Sequence, residues 1–148
     1  MTALVGEWSG SQRNGLSAVQ EFCASVLGVS LSRGAIQGMV DRVSEALMPL
    51  YEAIAHQARS APVNSVAVET WYQHGVLAWL WVMVNTTGAF FNIQASRNKV
   101  AFAALVARWA GILVSDGDGL YQQWGHGRQT CLAHLTCRAR GTTCHIMN

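Results

Sequence analysis

The chain has 148 residues, 51% of them hydrophobic and only 12% charged, with a net charge of +2. That composition excludes a disordered chain, and the longest apolar run, Val76 to Val84, is too short to span a bilayer. The N-terminus shows no basic segment followed by an apolar one, and four cysteines, three of them after residue 130, do not form a secreted disulfide framework, so a reducing cytoplasm is expected.

Charge is unevenly divided. Residues 1–62 carry four arginines against five acids, a net of −1, whereas residues 63–148 carry six basic residues against three acids, a net of +3. The positive half is the one expected to face phosphates. Six tryptophans in so short a chain imply large buried faces or a surface meant for a partner.

In chain order, Val19, Phe22, Cys23, Val26 and Leu27 repeat at helical spacing, with Gly28 as a natural stop. Ser30 or Ser32 caps a second helix whose stripe reads Ile36, Met39, Val40, Val43, Leu47, Leu50 and Ile54. Pro49 lies inside that stripe and is expected to kink or split it. The pair has helix-turn-helix length, with Arg33 and Gln37 outward where bases are read in that motif. The negative charge of the segment favours a plain helical hairpin instead. Ser60-Ala61-Pro62 breaks the helix, which sets the expected boundary between a helical region, 1–62, and a second region, 63–148.

Beyond the linker the period changes. Val66 to Thr70 reads as a strand, and Leu77 to Val84 with Ala89 to Ile93 flank Thr86-Thr87-Gly88 as a hairpin. Alternation puts Trp79 and Trp81 on one face, suited to burial under the N-terminal helices. Ser96 is expected to cap a helix carrying Phe102, Leu105, Val106 and Trp109, and Ile112 to Val114 forms the next strand. Gln129 to Leu135 supplies one more strand or the start of a helix, Gly141-Thr142-Thr143 ends any regular element, and the tail after Arg140 is expected to fray.

Where Ile112 to Val114 stops, Ser115-Asp116 opens into alternating glycines. A carboxylate there is held at a sheet edge yet open to solvent, as a metal-binding acid of a phosphoryl-transfer site must be. The competing reading is an aspartate that simply forms a turn before glycine.

The residues around it carry a resemblance. Ala78 to Ile93 (A-W-L-W-V-M-V-N-T-T-G-A-F-F-N-I), Ser96 to Leu105, Gly111 to Asp116 and Cys131 to Leu135 resemble the insertion-sequence-66 family of bacterial transposases. Leu27 to Ile36 and Ser44 to Glu52 are similar to the helical region before that family's catalytic core. The resemblance implies an α/β fold: a helical N-terminal region, then an incomplete ribonuclease-H-like core in the order strand, strand, strand, helix, strand. In that fold the first and fourth strands lie side by side, so Val68 and Asp116 are expected to end adjacent parallel strands. It further implies DNA transposition by Mg²⁺-dependent strand cleavage and transfer, transposon-end DNA as partner, and a bacterial cytoplasm. Asp116 falls on the family's second catalytic aspartate, which would hold Mg²⁺.

The other acids depart from the family pattern. Asp-Glu-Thr is expected at the end of the first strand, but the chain has Val68-Glu69-Thr70. Glu69 points to the opposite face of a strand, and Asp118 chelates beside Asp116 only if the backbone stays extended through Gly117. No Asp or Glu follows Cys131, where the family's third acid would lie, and the family's cysteine-rich region would precede Met1. The expectation is a truncated, catalytically inactive copy without functionally bound Mg²⁺. The alternatives are a DNA-binding or transposase-binding remnant that modulates an intact copy, self-associates or joins full-length transposase, and a pseudogene product without a selected role. Cys131 and His134 are one helical turn apart, and Cys137, Cys144 and His145 complete a zinc set on paper. The spacing matches no common zinc module, and packing with a hydrogen bond is the competing account.

Overall fold

The computed structural model describes residues 1–73 and 75–141. The chain forms two compact units, Met1–Glu52 and Ala53–Asn148, and among the described residues no helix is long and apolar enough to cross a membrane.

The first unit holds α1 (Thr2–Ser9), α2 (Leu16–Ser25) and the start of α3 (Arg33–Ser60). Its core is Val5, Val19, Cys23 and Ile36, with the Trp8 and Phe22 rings stacked at 3.8 Å between centroids. The stop signal after α2 works as read: Gly28 takes a left-handed φ of 65°, and the Val29 N–H donates to the Cys23 carbonyl at 2.9 Å. Of the two candidate caps for α3, Ser32 is used, its Oγ accepting the Ala35 N–H at 3.1 Å. The helix is not split at Pro49 but continues through it for 28 residues. Proline removes a single donor, and the hydrogen-bond ladder on either side of it carries the helix past the gap. The apolar stripe is covered only in part. Ile36 is fully buried, whereas Leu47, Leu50 and Ile54 are exposed. The connection from α2 to α3 runs from Val26 to Ser32, longer than the tight turn of a helix-turn-helix. α1 was not anticipated, because Met1 provides no side-chain cap and the segment is too short for a clear apolar period.

The second unit is a five-stranded mixed sheet with helices. β1 (Val63–Gln73), β2 (Val76–Val84), β3 (Ala89–Gln94), β4 (Ile112–Ser115) and β5 (Arg128–Thr130) lie in the order β3-β2-β1-β4-β5. β1 pairs antiparallel with β2, and β2 with β3, whereas β4 runs parallel to both β1 and β5. α4 (Lys99–Val106) links β3 to β4, and α5 (Leu132–Ala139) follows β5. The Asn85 side chain shapes the β2–β3 turn by accepting from the Thr87 and Gly88 N–H groups.

Strand alternation divides the sheet into two faces. Cross-strand pairs Val66 with Met83 and Val68 with Trp81 turn one face toward Phe102, Leu105 and Val106 of α4 and toward Ala55 and Ala58 near the end of α3. Trp79 packs on the same face, as its spacing from Trp81 requires, and Trp81 meets Phe102 with ring centroids 6.2 Å apart. Ser65, Ala67 and Glu69 lie on the other face with Leu80, Val82 and Val84, their partners across the ladder. The cap of α4 is Asn98 rather than Ser96: its Oδ1 accepts the Ala101 N–H at 2.9 Å. Asparagine caps as well as serine, and the chain is still extended at Asn98. Trp109 falls beyond the helix but remains buried, its indole N–H donating to the Ala61 carbonyl at 2.7 Å. At the other end, Arg59 donates to the Leu105 and Ala104 carbonyls and so caps α4. Thr142 and Thr143, and the tail expected to fray, lie outside the described residues.

Candidate functional site

β4 delivers Asp116 to the sheet edge as its sequence requires. Ser115 is buried at the strand end, and Asp116 begins a loop that closes in a short 3-10 turn at Gly119–Tyr121. The parallel register sets Ser65 of β1 beside Val114, so Ala67 is the β1 residue nearest to the level of Asp116. Val68 is in mid-strand rather than at a strand end, because β1 continues to Gln73 through its pairing with β2. Asp116 borders a cleft of about 410 Å³ with Ala67, Glu69, Val82 and His134 on the open face of the sheet; Val68 reaches the cleft only from its strand, because alternation turns its side chain to the α4 face. Strands β1 and β4 are thus adjacent and parallel, as expected. Of the two positions that match the family's acids, Asp116 keeps its carboxylate at the cleft, while position 68 is a valine packed on the core beside α4.

The loop after Asp116 is held by its own groups. Asp116 Oδ1 accepts the Asp118 N–H at 3.0 Å, and Asp118 Oδ1 accepts the Leu120 N–H at 2.8 Å. Asp118 Oδ2 pairs with the Arg97 guanidinium at 2.5 Å. The Leu120 N–H and the Arg97 guanidinium hold the Asp118 carboxyl below its ordinary value, against partial burial. Arg97 also lies 5.8 Å from the centroid of the Trp79 ring, within cation–π range. Gly117 gives close access from another side: a Cβ there would fall 2.3 Å from Arg138 Nη2. Only glycine leaves room for that guanidinium on the loop backbone. Asp116 Oδ1 is turned onto the Asp118 N–H, and Asp118 Oδ1 onto the Leu120 N–H of the 3-10 turn, rather than toward a shared ion.

Beneath the loop, Tyr121 is buried edge-on to Phe102, with ring centroids 5.4 Å apart. Its hydroxyl has no hydrogen-bond partner among the described residues. Burial first, then the Asp116 charge, pushes the phenol above its ordinary range.

Cys131 is the N-cap residue of α5, and His134 lies in that helix's first turn. Both border a smaller cleft of about 190 Å³ with Asp116, Ser65 and Val114. His134 Nδ1 is buried without a partner among the described residues, so the packing account of the Cys-x-x-His pair lacks its hydrogen bond. Of the remaining zinc candidates, Cys137 is on α5, while Cys144 and His145 lie outside the described residues. Arg33 and Gln37 are exposed, and the Gln37 amide donates to Asp41 at 2.7 Å.

The donor set can be tested against a divalent ion. Mg²⁺ takes near-octahedral oxygen ligands at about 2.0–2.1 Å, usually one or two carboxylates with water and phosphate. Three of the four oxygens on Asp116 and Asp118 already accept hydrogen bonds, and position 68 offers none. Among the described residues no group of three or more His, Cys, Asp or Glu side chains is placed to hold a metal. Asp116 Oδ2 and the exposed Glu69 carboxylate, both at the larger cleft, remain for an ion, fewer than the three acids the resemblance implies. Arg97, Arg138 and Tyr121 are the site residues that sequence reading missed. Arg97 lies 21 positions from its partner, and no local signal joins them.

Comparison with known proteins bears on the whole chain. No match was found among curated proteins. The family model described as Transposase IS66 family matches residues 9–143, spanning both units, and the chain belongs to that family of transposases.

Proposed function

We propose that this chain is a DNA-binding member of its transposase family, built on a ribonuclease-H-like core, that does not itself cut DNA. The fold reading is supported by strand order and direction. Three antiparallel strands come first, then two parallel strands added on the far side of β1, with a helix between β3 and β4. Loss of cutting is carried by one observation: at position 68, where the resemblance expects an acid on β1, the chain has a valine, and its side chain packs on the core beside α4. In-line displacement at a phosphodiester concentrates negative charge on the reacting phosphate, and an isopropyl group supplies nothing to position or balance it. Losing one such preorganised element typically costs at least ~10²–10³-fold in rate.

DNA binding has its support in charge. Arg97, Lys99, Arg108, Arg128, Arg138 and Arg140 are all exposed, against three acids in residues 63–148. Such groups meet phosphates and bind with a strong dependence on salt. A chain that holds transposon ends without cutting them would compete with, or modulate, an intact copy.

The test is a mobility-shift assay on DNA carrying the family's terminal inverted repeats, with nicking followed in parallel under Mg²⁺ or Mn²⁺. A salt-sensitive shift without nicking is the expected result. Nicking that disappears in Asp116→Asn would overturn the inactivity, and no shift at low salt would remove the DNA role.

A further inference from the structure

We infer that the cleft beside Asp116 takes the exposed face of α5 from a second copy of this chain, so that two copies close on one another about a two-fold axis. Neither the family nor the DNA-binding reading enters the inference.

Charge picks out the cleft. Of the three acids in residues 63–148, Asp118 is paired with Arg97, and the other two, Glu69 and Asp116, both border the cleft of about 410 Å³. Neither of those two is in an ion pair among the described residues. The floor is apolar, with Leu80, Val82 and Val84 from β2. An acidic rim over an apolar floor repels a phosphate backbone and suits a segment that carries apolar side chains together with a cation.

α5 is such a segment. Leu132 and Leu135 are 71% and 45% exposed, and Arg140 is exposed at the C-terminal end of the same helical stripe. His134, in the first turn of α5, is part of the cleft wall, so helix and cleft are neighbours on one face of the sheet. Neighbouring complementary patches are what a two-fold interface requires: the helix of each copy covers the cleft of the other, and both contacts form together. A chain does not make this contact with itself, because α5 presents its His134 side to its own cleft and the leucine stripe to solvent. In the dimer the leucines cover Val82 and Val84 and remove apolar surface from water on both copies, while Arg140 meets the acidic rim. Arg140 is then covered, and the other basic residues of 63–148 remain for phosphate.

The experiment uses the full chain in buffer without DNA or divalent ions, so its outcome is separate from that of the mobility-shift assay, and reads the dimerisation constant by sedimentation equilibrium. Wild type is expected to dimerise reversibly. Glu69→Arg and Arg140→Glu, each of which sets like charges across the contact, are each expected to weaken the dimer at least about tenfold. An equimolar mixture of the two is expected to dimerise more tightly than either alone, because in the mixed pair one contact is wild type and the other has both charges exchanged. A wild-type chain that stays monomeric would overturn the inference, as would a mixture that dimerises no better than its components. If the cleft takes DNA instead, Glu69→Arg will strengthen the DNA shift and leave the dimer unchanged, which also overturns it. If Arg140→Glu does not fold, Leu132→Ser becomes the helix variant: it is expected to weaken the dimer, and a dimer of unchanged strength would count against the contact.

Discussion

Tyr121 carries the largest polar anomaly of the core. Its ring is fully packed, but its hydroxyl has no partner among the described residues and lies in the field of Asp116. An unsatisfied buried hydroxyl costs roughly 1–3 kcal/mol, so Tyr121→Phe is expected to stabilise the fold by about 1 kcal/mol in chemical denaturation. The same group gives a pH dependence. Its folded pKa is raised above the ordinary value of 10.0, so the folded state keeps the proton where the unfolded state releases it. Stability is therefore intact below pH 10.0 and falls as pH rises above it, and Tyr121→Phe is expected to flatten that alkaline fall. A wild-type and mutant pair with identical alkaline slopes would contradict the placement of the hydroxyl. Gly117 makes a different point. The atoms nearest to a Cβ there are those at the tip of Arg138, a flexible side chain that can swing away. Gly117→Ala should cost less than about 1 kcal/mol in wild type and nothing in an Arg138→Ala background, a coupling that a double-mutant cycle measures.

Elements differ in how plainly the sequence announces them. The β2–β3 hairpin is legible because Leu80 to Val84 alternates across a sheet and Asn85-Thr86-Thr87-Gly88 supplies turn chemistry. The Gly28 stop and the Ser32 cap are equally local signals. What stays hidden is set by distance in sequence. β1 reads as Val66 to Thr70, but its ends at Val63 and Gln73 are fixed by partners on β4 and β2. The exposed half of the α3 stripe looks like core because periodicity marks an apolar face without saying what covers it. Asp116 was legible as a strand-end acid, whereas its surroundings were not, since Arg97 and Arg138 arrive from other elements. The α4 cap gives a test at this scale. Asn98 is the residue whose side chain satisfies the Ala101 N–H, so Asn98→Ala is expected to lose about 1 kcal/mol, while Ser96→Ala stays within about 0.5 kcal/mol. Equal losses at the two positions would return the cap to Ser96.

At the scale of the second unit, the sheet buries one face and leaves the other open. Packing from α4 and the end of α3 covers Trp81, Met83 and Phe90, while Val84, Phe91 and Ile93 on the reverse side are 39%, 52% and 48% exposed. On α5, Leu132 and Leu135 are exposed as well, and no residue of that helix is fully buried. Apolar surface in water costs about 25 cal/mol for each Å², and contiguous patches of it mark association surfaces. With so few charges in the chain, little opposes contact between two such faces. The chain alone is therefore expected to self-associate in a concentration-dependent manner in sedimentation-velocity measurements. Replacing Val84 and Ile93 together by threonine keeps β-branched side chains on the strands and removes apolar surface only from the open face. The double variant is expected to shift the distribution toward monomer, with a melting temperature close to that of wild type, because neither side chain belongs to the buried cluster. A wild-type chain that sediments as a single monomer at every concentration would show that the open face does not drive association. A double variant that self-associates as strongly as wild type would move the contact to another surface.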